Sequence, residues 1–221
     1  METQPDAFVT RIKSSQSRII GLKTVKSLLN NHFDANFFEN EDEAVTAVLE
    51  SIGPGTKVAF GGSQTSRQLD LQAKIQACGA VILDHNAEGL SQEKKIEIMR
   101  QQQVCDVFIC SSNAISMKGE LYNVDGNGNR VSAMLFGPGK VFILAGVNKI
   151  CADETAAWER IKNIAAPMNM LRLERANPCC QNGTCMDCNL SSRGCNAYLV
   201  LRKKPTLTDI SVFIINKDLG F

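Results

Sequence analysis

The sequence predicts an α/β fold: a mainly parallel sheet with helices on both faces. Short runs rich in Val, Ile and Phe, at Lys57–Phe60 and residues 80–83, 105–110 and 141–147, read as strands buried on both faces. Helical apolar spacing and capping residues fill the stretches between several of them, so strand and helix alternate. Each run ends in Gly, Asp, Ser or Asn. Polar groups therefore collect at the carboxyl ends of the strands, where open α/β sheets bind their ligands.

Residues 5–31 read as one helix, with Leu22, Val25 and Leu29 at helical spacing and Phe8, Ile12 and Ile19 continuing the apolar positions upstream. A second helix starts after Asp42 as N-cap, carries Val45, Val48, Leu49 and Ile52 on one face, and stops at Gly53-Pro54. These helices make residues 1–55 an N-terminal helical region ahead of an α/β domain over 56–221.

The strand Lys57–Phe60 runs into Gly61-Gly62-Ser63-Gln64-Thr65-Ser66 and then a helix from about Arg67 to Cys78. Two readings of that loop stand side by side. Its backbone N–H groups cradle an anion, with Gly61, Gly62, Ser63 and Thr65 as the binding residues. Or it is a tight turn whose Ser or Thr caps the helix. No G-x-G-x-x-G is present, and Gly139-Lys140 fails as a P-loop because Met134 and Val141 hold required positions.

Residues 80–83 end at Asp84-His85, and Ser91 then caps a helix that turns Ile96 and Met99 inward. After strand 105–110 comes a polar, glycine-rich insert. Residues 120–124 and 130–135 flank Asp125-Gly126-Asn127-Gly128-Asn129, which predicts a hairpin. A surface hairpin explains the glycines but not the polar cluster around them. Asn113, Ser116, Asn123 and Arg130 are therefore candidate anion-binding residues. Lys118, Glu120 and Asp125 are candidate catalytic groups, offering a cation and two carboxylates for proton transfer. Beyond strand 141–147, Asp153 caps a helix with Trp158, Ile161 and Ala165 in its apolar stripe, ended by Pro167. A cysteine-rich segment over 178–196 precedes two last strands, Ala197–Leu201 and Ile210–Ile215.

Composition narrows the function. Hydrophobic content of 44% and charged content of 21% are those of an ordinary globular domain. A net charge of +1, with lysines and arginines scattered, argues against nucleic acid as partner. The N-terminus lacks a signal-peptide core, and the longest apolar run, 141–147, is too short to span a bilayer. A cytoplasmic protein without a membrane span is expected. Of nine cysteines, Cys78, Cys105, Cys110 and Cys151 sit singly in apolar surroundings and read as small buried hydrophobes.

Four motifs resemble one family. They are Asn113-Ala114-Ile115-Ser116-x-x-Gly119, Asn123-Val124-Asp125-Gly126-x-Gly128-Asn129-Arg130, Phe136-Gly137-Pro138 and Gly146-Val147-Asn148-Lys149-Ile150. In this order they resemble the lactate-utilisation (LUD) domain family, from about Lys57 to Phe221, with Ser116 where the family often has Thr. The resemblance implies a three-layer αβα fold of the NagB/RpiA/CoA-transferase-like kind. In those relatives a Gly-Ser/Thr loop after the first strand binds an anionic group, and Gly61-Gly62-Ser63-x-Thr65 matches it. It also implies a part in oxidising L-lactate to pyruvate beside iron–sulfur partner subunits. A stand-alone enzyme on a small anionic substrate, such as a sugar phosphate, acyl-CoA or folate-like compound, is the alternative.

The other five cysteines crowd into residues 179–195. Cys179, Cys185, Cys188 and Cys195 are spaced C-x5-C-x2-C-x6-C, close enough to close a four-thiolate site locally. The resemblance selects Cys179 over Cys180, because the family's Pro-Cys-x-x-Thr-Gly-x-Cys matches Pro178 to Cys185 with Asn182 in place of the threonine. A [4Fe–4S] cluster is the expected occupant, with zinc next. Two disulfides, disfavoured in the cytoplasm, and free thiols are the remaining readings.

Overall fold

The computed structural model describes residues 5–221, from the first helix to the chain end. Six strands form a wholly parallel sheet: β1 (Asp34–Phe38), β2 (Lys57–Phe60), β3 (Val81–Leu83), β4 (Val107–Cys110), β7 (Lys140–Gly146) and β10 (Ile210–Ile215), in the order β1-β10-β7-β4-β2-β3. Alternate residues of the central strands point to opposite faces, which is why their sequences are continuously apolar. Val107, Ile109, Phe142, Leu144, Phe213 and Ile215 face helices α2 (Glu41–Leu49) and α4 (Leu71–Ala77). Phe108, Cys110, Val141, Ile143, Val212 and Ile214 face the other side, where α1 (Pro5–Asn30) and α6 (Asn129–Leu135) pack. This is the expected αβα layering.

A second sheet of four strands continues that side. Its order is β8 (Ile150–Cys151), β5 (Ala114–Ser116), β6 (Leu121–Asp125), β9 (Ala197–Leu201). Its outer face is closed by α7 (Glu154–Arg160), which brings Ala157 and Trp158 against Tyr122. Among the described residues no helix is long and apolar enough to cross a membrane.

Several elements differ from the sequence reading. Residues 34–38 form edge strand β1, parallel to β10, in a region where only helices were expected. Asn40, not Asp42, caps α2: its backbone is extended and its side chain accepts from the Glu43 N–H at 3.0 Å, while Asp42 sits in the first turn with Glu41 and Glu43, against the positive end of the helix dipole. Phe8, Ile12, Ile19, Leu22 and Leu29 of α1 are exposed; the helix packs through Gly21, Thr24 and Leu28 instead. The helix capped by Ser91, α5 (Gln92–Gln101), leaves Ile96 exposed and Met99 half-buried, because its neighbour β3 is the short edge of the sheet.

The expected hairpin over 120–135 is not formed. Its second arm is helix α6, entered through Gly128 at φ 81°. Asp125 Oδ1 accepts from the N–H groups of Asn127 and Gly128, turning the chain out of β6 before a second strand can start. The hairpin lies one step earlier, between β5 and β6, with Ala114 opposite Tyr122. Gly119 makes its turn at φ 75°, and a Cβ there would lie 2.6 Å from the α1 backbone. Pro167 does not end its helix either. A π turn over Ile161–Ala165 widens the coil, Ala166 N donates to Ile161 O, and the chain continues as α8 (Ala166–Arg172).

Candidate functional site

Strands β2, β4 and β7 end side by side at one rim of the large sheet. The loops that leave them, at Gly62-Ser63, Ser111-Ser112-Asn113 and Lys149, line one cleft of about 380 Å³. The π turn matters here, because the helix it continues into, α8, brings the Arg172 guanidinium beside Gly62. Four guanidinium groups, those of Arg130, Arg172, Arg175 and Arg193, line the cleft together with the amine of Lys149, against one carboxylate side chain, Asp125. Such a lining attracts anions.

Arg130 is the keystone of one wall. Its Nη1 donates to Ser111 O at 3.0 Å and Asn123 Oδ1 at 2.7 Å. Its Nη2 donates to Asn113 Oδ1 at 3.0 Å and Val124 O at 2.7 Å. Nε lies 3.6 Å from Asp125 Oδ2. The planar fork thus ties the end of β4 to β6, a geometry that an ammonium group does not reproduce.

Lys149 is buried in the cleft floor. Its Nζ donates to Thr65 Oγ1 at 3.1 Å and Ser111 Oγ at 3.0 Å. Burial first, then the charges of Arg160 and Arg130, bring its pKa down to about 7. Below about pH 7 the amine is protonated in the folded and unfolded chain alike, so the burial penalty is felt in full. Between about 7 and 10 the unfolded chain holds more protons, and stability rises with pH. Lys149→Met removes this component. It is expected to stabilise the chain by a few kcal/mol, on the order of 1.4 kcal/mol per pKa unit, near pH 6, with the gain shrinking toward pH 10. Denaturation of both chains across that range checks it, and parallel curves contradict it.

The sequence-derived residues divide. Gly62, Ser63, Asn113, Asp125 and Arg130 line the cleft. Ser63 also caps helix α3 (Gln64–Gln68), accepting from Ser66 N, so the capping role is realised. Gly61 packs against Cys110 and Arg130. Thr65 and Asn123 are buried behind the lining, holding Lys149 and Arg130. Ser116 and Glu120 lie elsewhere: Ser116 Oγ donates to Glu120 Oε2, which also accepts from Tyr122 OH at 2.6 Å. Lys118 sits on the β5–β6 turn, where its carbonyl accepts from the side chain of Asn31, just past the end of α1. The reading as site residues missed Lys149, Arg172, Arg175 and Arg193. Lys149 had a usable signal, a lysine just past the end of a fully buried strand. Arg172 lay on a helix judged to stop at Pro167.

Cys179, Cys185, Cys188 and Cys195 line a second, smaller cavity of about 20 Å³, room for about one water. Cys180 does not line it. Cys179 belongs to the one-turn helix α9 (Cys179–Asn182), and the other three lie on the irregular loop 183–196. Arg193 latches this loop, donating to Cys188 O at 2.6 Å and Cys195 O at 2.9 Å. Asp187 N–H and Asn177 Nδ2 point at the sulfurs of Cys185 and Cys188, at 3.4 and 3.7 Å. Burial raises the Cys195 thiol to about 11, with Cys185, Cys179 and Cys188 adding to it. All nine cysteines are free, and no three His, Cys, Asp or Glu among the described residues are arranged to hold one metal ion. The two cavities share a wall made by Ala166, Met170, Arg193, Gly194 and Cys195.

No curated protein is significantly similar in sequence to this chain. Among solved structures, a DUF162 family protein from Deinococcus radiodurans is similar at a TM-score of 0.51 and 11% identity, over 90% of this chain and 98% of that one. A D-ribose-5-phosphate isomerase in complex with phospho-erythronic acid aligns at 0.33 and 16% identity, over 50% of this chain and 52% of that one. The eIF2B beta of Chaetomium thermophilum aligns at 0.36 and 17% identity, over 52% and 44%. The first likeness is one of fold; the other two are too distant to carry an argument. The LUD domain model matches residues 22–215, and the chain belongs to the LUD domain family.

Proposed function

We propose that this chain is a component of L-lactate oxidation that binds a small carboxylate in its cationic cleft and carries a cysteine-ligated [4Fe–4S] centre beside it. The observation that supports this reading is the shared wall between the cleft and the four-cysteine cavity. Family membership supports the link to lactate utilisation. Cys179, Cys185, Cys188 and Cys195 would hold the centre, and such a cluster supplies one-electron transfer when bound. The donor set is of the right chemistry, four thiols lining one cavity with N–H donors already addressing two of the sulfurs, and the cavity must widen from about 20 Å³ to take the group. A cluster spreads its thiolates over several irons, whereas zinc needs all four to converge on one ion. Loop 183–196 has no helix or strand, so opening it around the group breaks the Arg193 latch but no hydrogen-bond ladder. Electrons leaving the chain would pass to iron–sulfur partner subunits.

In the cleft, Arg130, Lys149 and Arg172 supply charge for the carboxylate, while Gly62, without a side chain, lets it approach the end of β2 closely. Arg172 is the cleanest probe, since among the described residues its guanidinium hydrogen-bonds only to Asn169 Oδ1, at 2.7 and 3.2 Å. Arg172→Gln is expected to weaken L-lactate binding about 10–100-fold by calorimetry, the worth of one charge-assisted pair. Wild-type chain that takes up no lactate, or unchanged affinity in the variant, contradicts the reading. The alternative, a stand-alone enzyme on a small anionic substrate, draws on one observation: a buried amine with a lowered pKa already sits in the cleft. Turnover by the isolated chain without partner subunits would favour it.

A further inference from the structure

We propose that Lys149 makes anion binding in the cleft proton-coupled: it stands as a neutral amine in the empty cleft and takes up one proton when a carboxylate or other small anion arrives. This rests on the reading that the cleft takes an anion and adds which group senses it.

The hydrogen bonds around Nζ carry the argument. The Thr65 hydroxyl donates to Leu219 O at 3.3 Å, and the Ser111 hydroxyl donates to Ser112 O at 3.4 Å. Each hydroxyl proton is therefore committed to a backbone carbonyl, and each oxygen is left to accept from Lys149. A neutral amine has two N–H bonds and one lone pair. Both N–H bonds are used on these oxygens, which leaves the lone pair, or the third N–H of the ammonium form, for the cleft that Lys149 lines.

The groups facing the amine leave its charge unbalanced. Arg130 of α6 and Arg160 of α7 are cations, and both disfavour a third positive charge. Cys110 at the end of β4 is the acid that acts on it, and burial pushes that thiol up to about 12, so it is neutral. Asp125, the carboxylate of the lining, is paired to Arg130. Thr65 of α3 and Ser111 are uncharged. A buried ammonium among two guanidiniums is unfavourable until a counter-charge enters. An arriving anion supplies it, and linkage then requires that anion and proton bind together.

The test uses the full chain and two anions that keep one charge state from about pH 6 to 9, L-lactate and sulfate. Calorimetry in two buffers of different ionisation enthalpy counts the protons taken up. The expected result is uptake of about one proton per anion above about pH 8, and affinity that falls about tenfold for each pH unit from there upward. Lys149→Gln keeps a donor for the hydroxyls and has no proton to gain; its binding should be weaker than that of the wild type near pH 6 and independent of pH. Lys149→Met, folded by circular dichroism, should behave likewise. Anion binding with equal heats in both buffers and a flat pH profile overturns the role of Lys149 while leaving the anion cleft in place. Binding of neither anion at any pH overturns both.

Discussion

Replacing Arg130 by leucine is expected to cost about 3–5 kcal/mol of stability, the range for removing one partner of a buried, hydrogen-bonded charge. The guanidinium donates to four acceptors on β4 and β6 and their flanking loops, all within 3.0 Å. Leucine removes a donor from the carbonyls of Ser111 and Val124 and leaves Asn113 Oδ1 and Asn123 Oδ1 each with a backbone N–H alone, and under-satisfied buried acceptors are expensive. Asn123 already has an unpartnered Nδ2 at this spot, so little slack remains to absorb the loss. Arg130→Lys retains charge but not the planar fork, and should fall between the two. Urea denaturation midpoints decide: an Arg130→Leu chain with an unmoved midpoint would show that the wall does not depend on this side chain.

Cys185→Ser and Cys188→Ser are each expected to abolish metal binding in anaerobically purified chain, whereas Cys180→Ser leaves it intact. Cys180 does not line the cavity, so the contrast separates ligation from a general effect of removing a thiol. A structural metal held by thiolates contributes on the order of 10 kcal/mol of folding free energy, so this is the largest effect expected anywhere in the molecule. The pH dependence follows from the thiols. Cys195 is held up at about 11 and Cys179 is raised by burial, so both are protonated in the metal-free chain at neutral pH. Ligation must displace those protons, and metal affinity therefore rises with pH and is lost in acid. Equal metal content in the wild type and all three variants would contradict the assignment.

The buried strands were legible because both faces are covered, which gives uninterrupted Val, Ile and Phe runs with no competing helical spacing. Strand β1 was not. Asp34-Ala35-Asn36-Phe37-Phe38 is short, sits between two helices, and owes its strand geometry to pairing with β10, 177 residues further along. The turn residues from Asp125 to Asn129 were recognised as a turn, but a turn signal does not say whether strand or helix follows. Val131 and Met134 at helical spacing, both buried, were the missed cue. Of the cleft, the loop around Ser63 and the residues Asn113 and Arg130 were visible as polar groups at strand ends. Arg172 was hidden by the usual rule that proline ends a helix, which the π turn circumvents. The shared wall between cleft and cysteine cavity depends on Gly194 lying against Met170, a contact between distant segments that no local pattern encodes.

The proposed function sets a thiolate-held electron-transfer centre against an anion cleft in this one chain. Its most direct test is the absorption spectrum of the anaerobically purified protein, with iron, zinc and acid-labile sulfide determined on the same sample. The expected result is a brown protein with about four iron and four sulfide per chain, whose spectrum shifts when L-lactate is added. A colourless protein with neither iron nor sulfide, or a spectrum that lactate leaves unchanged at saturation, would contradict it.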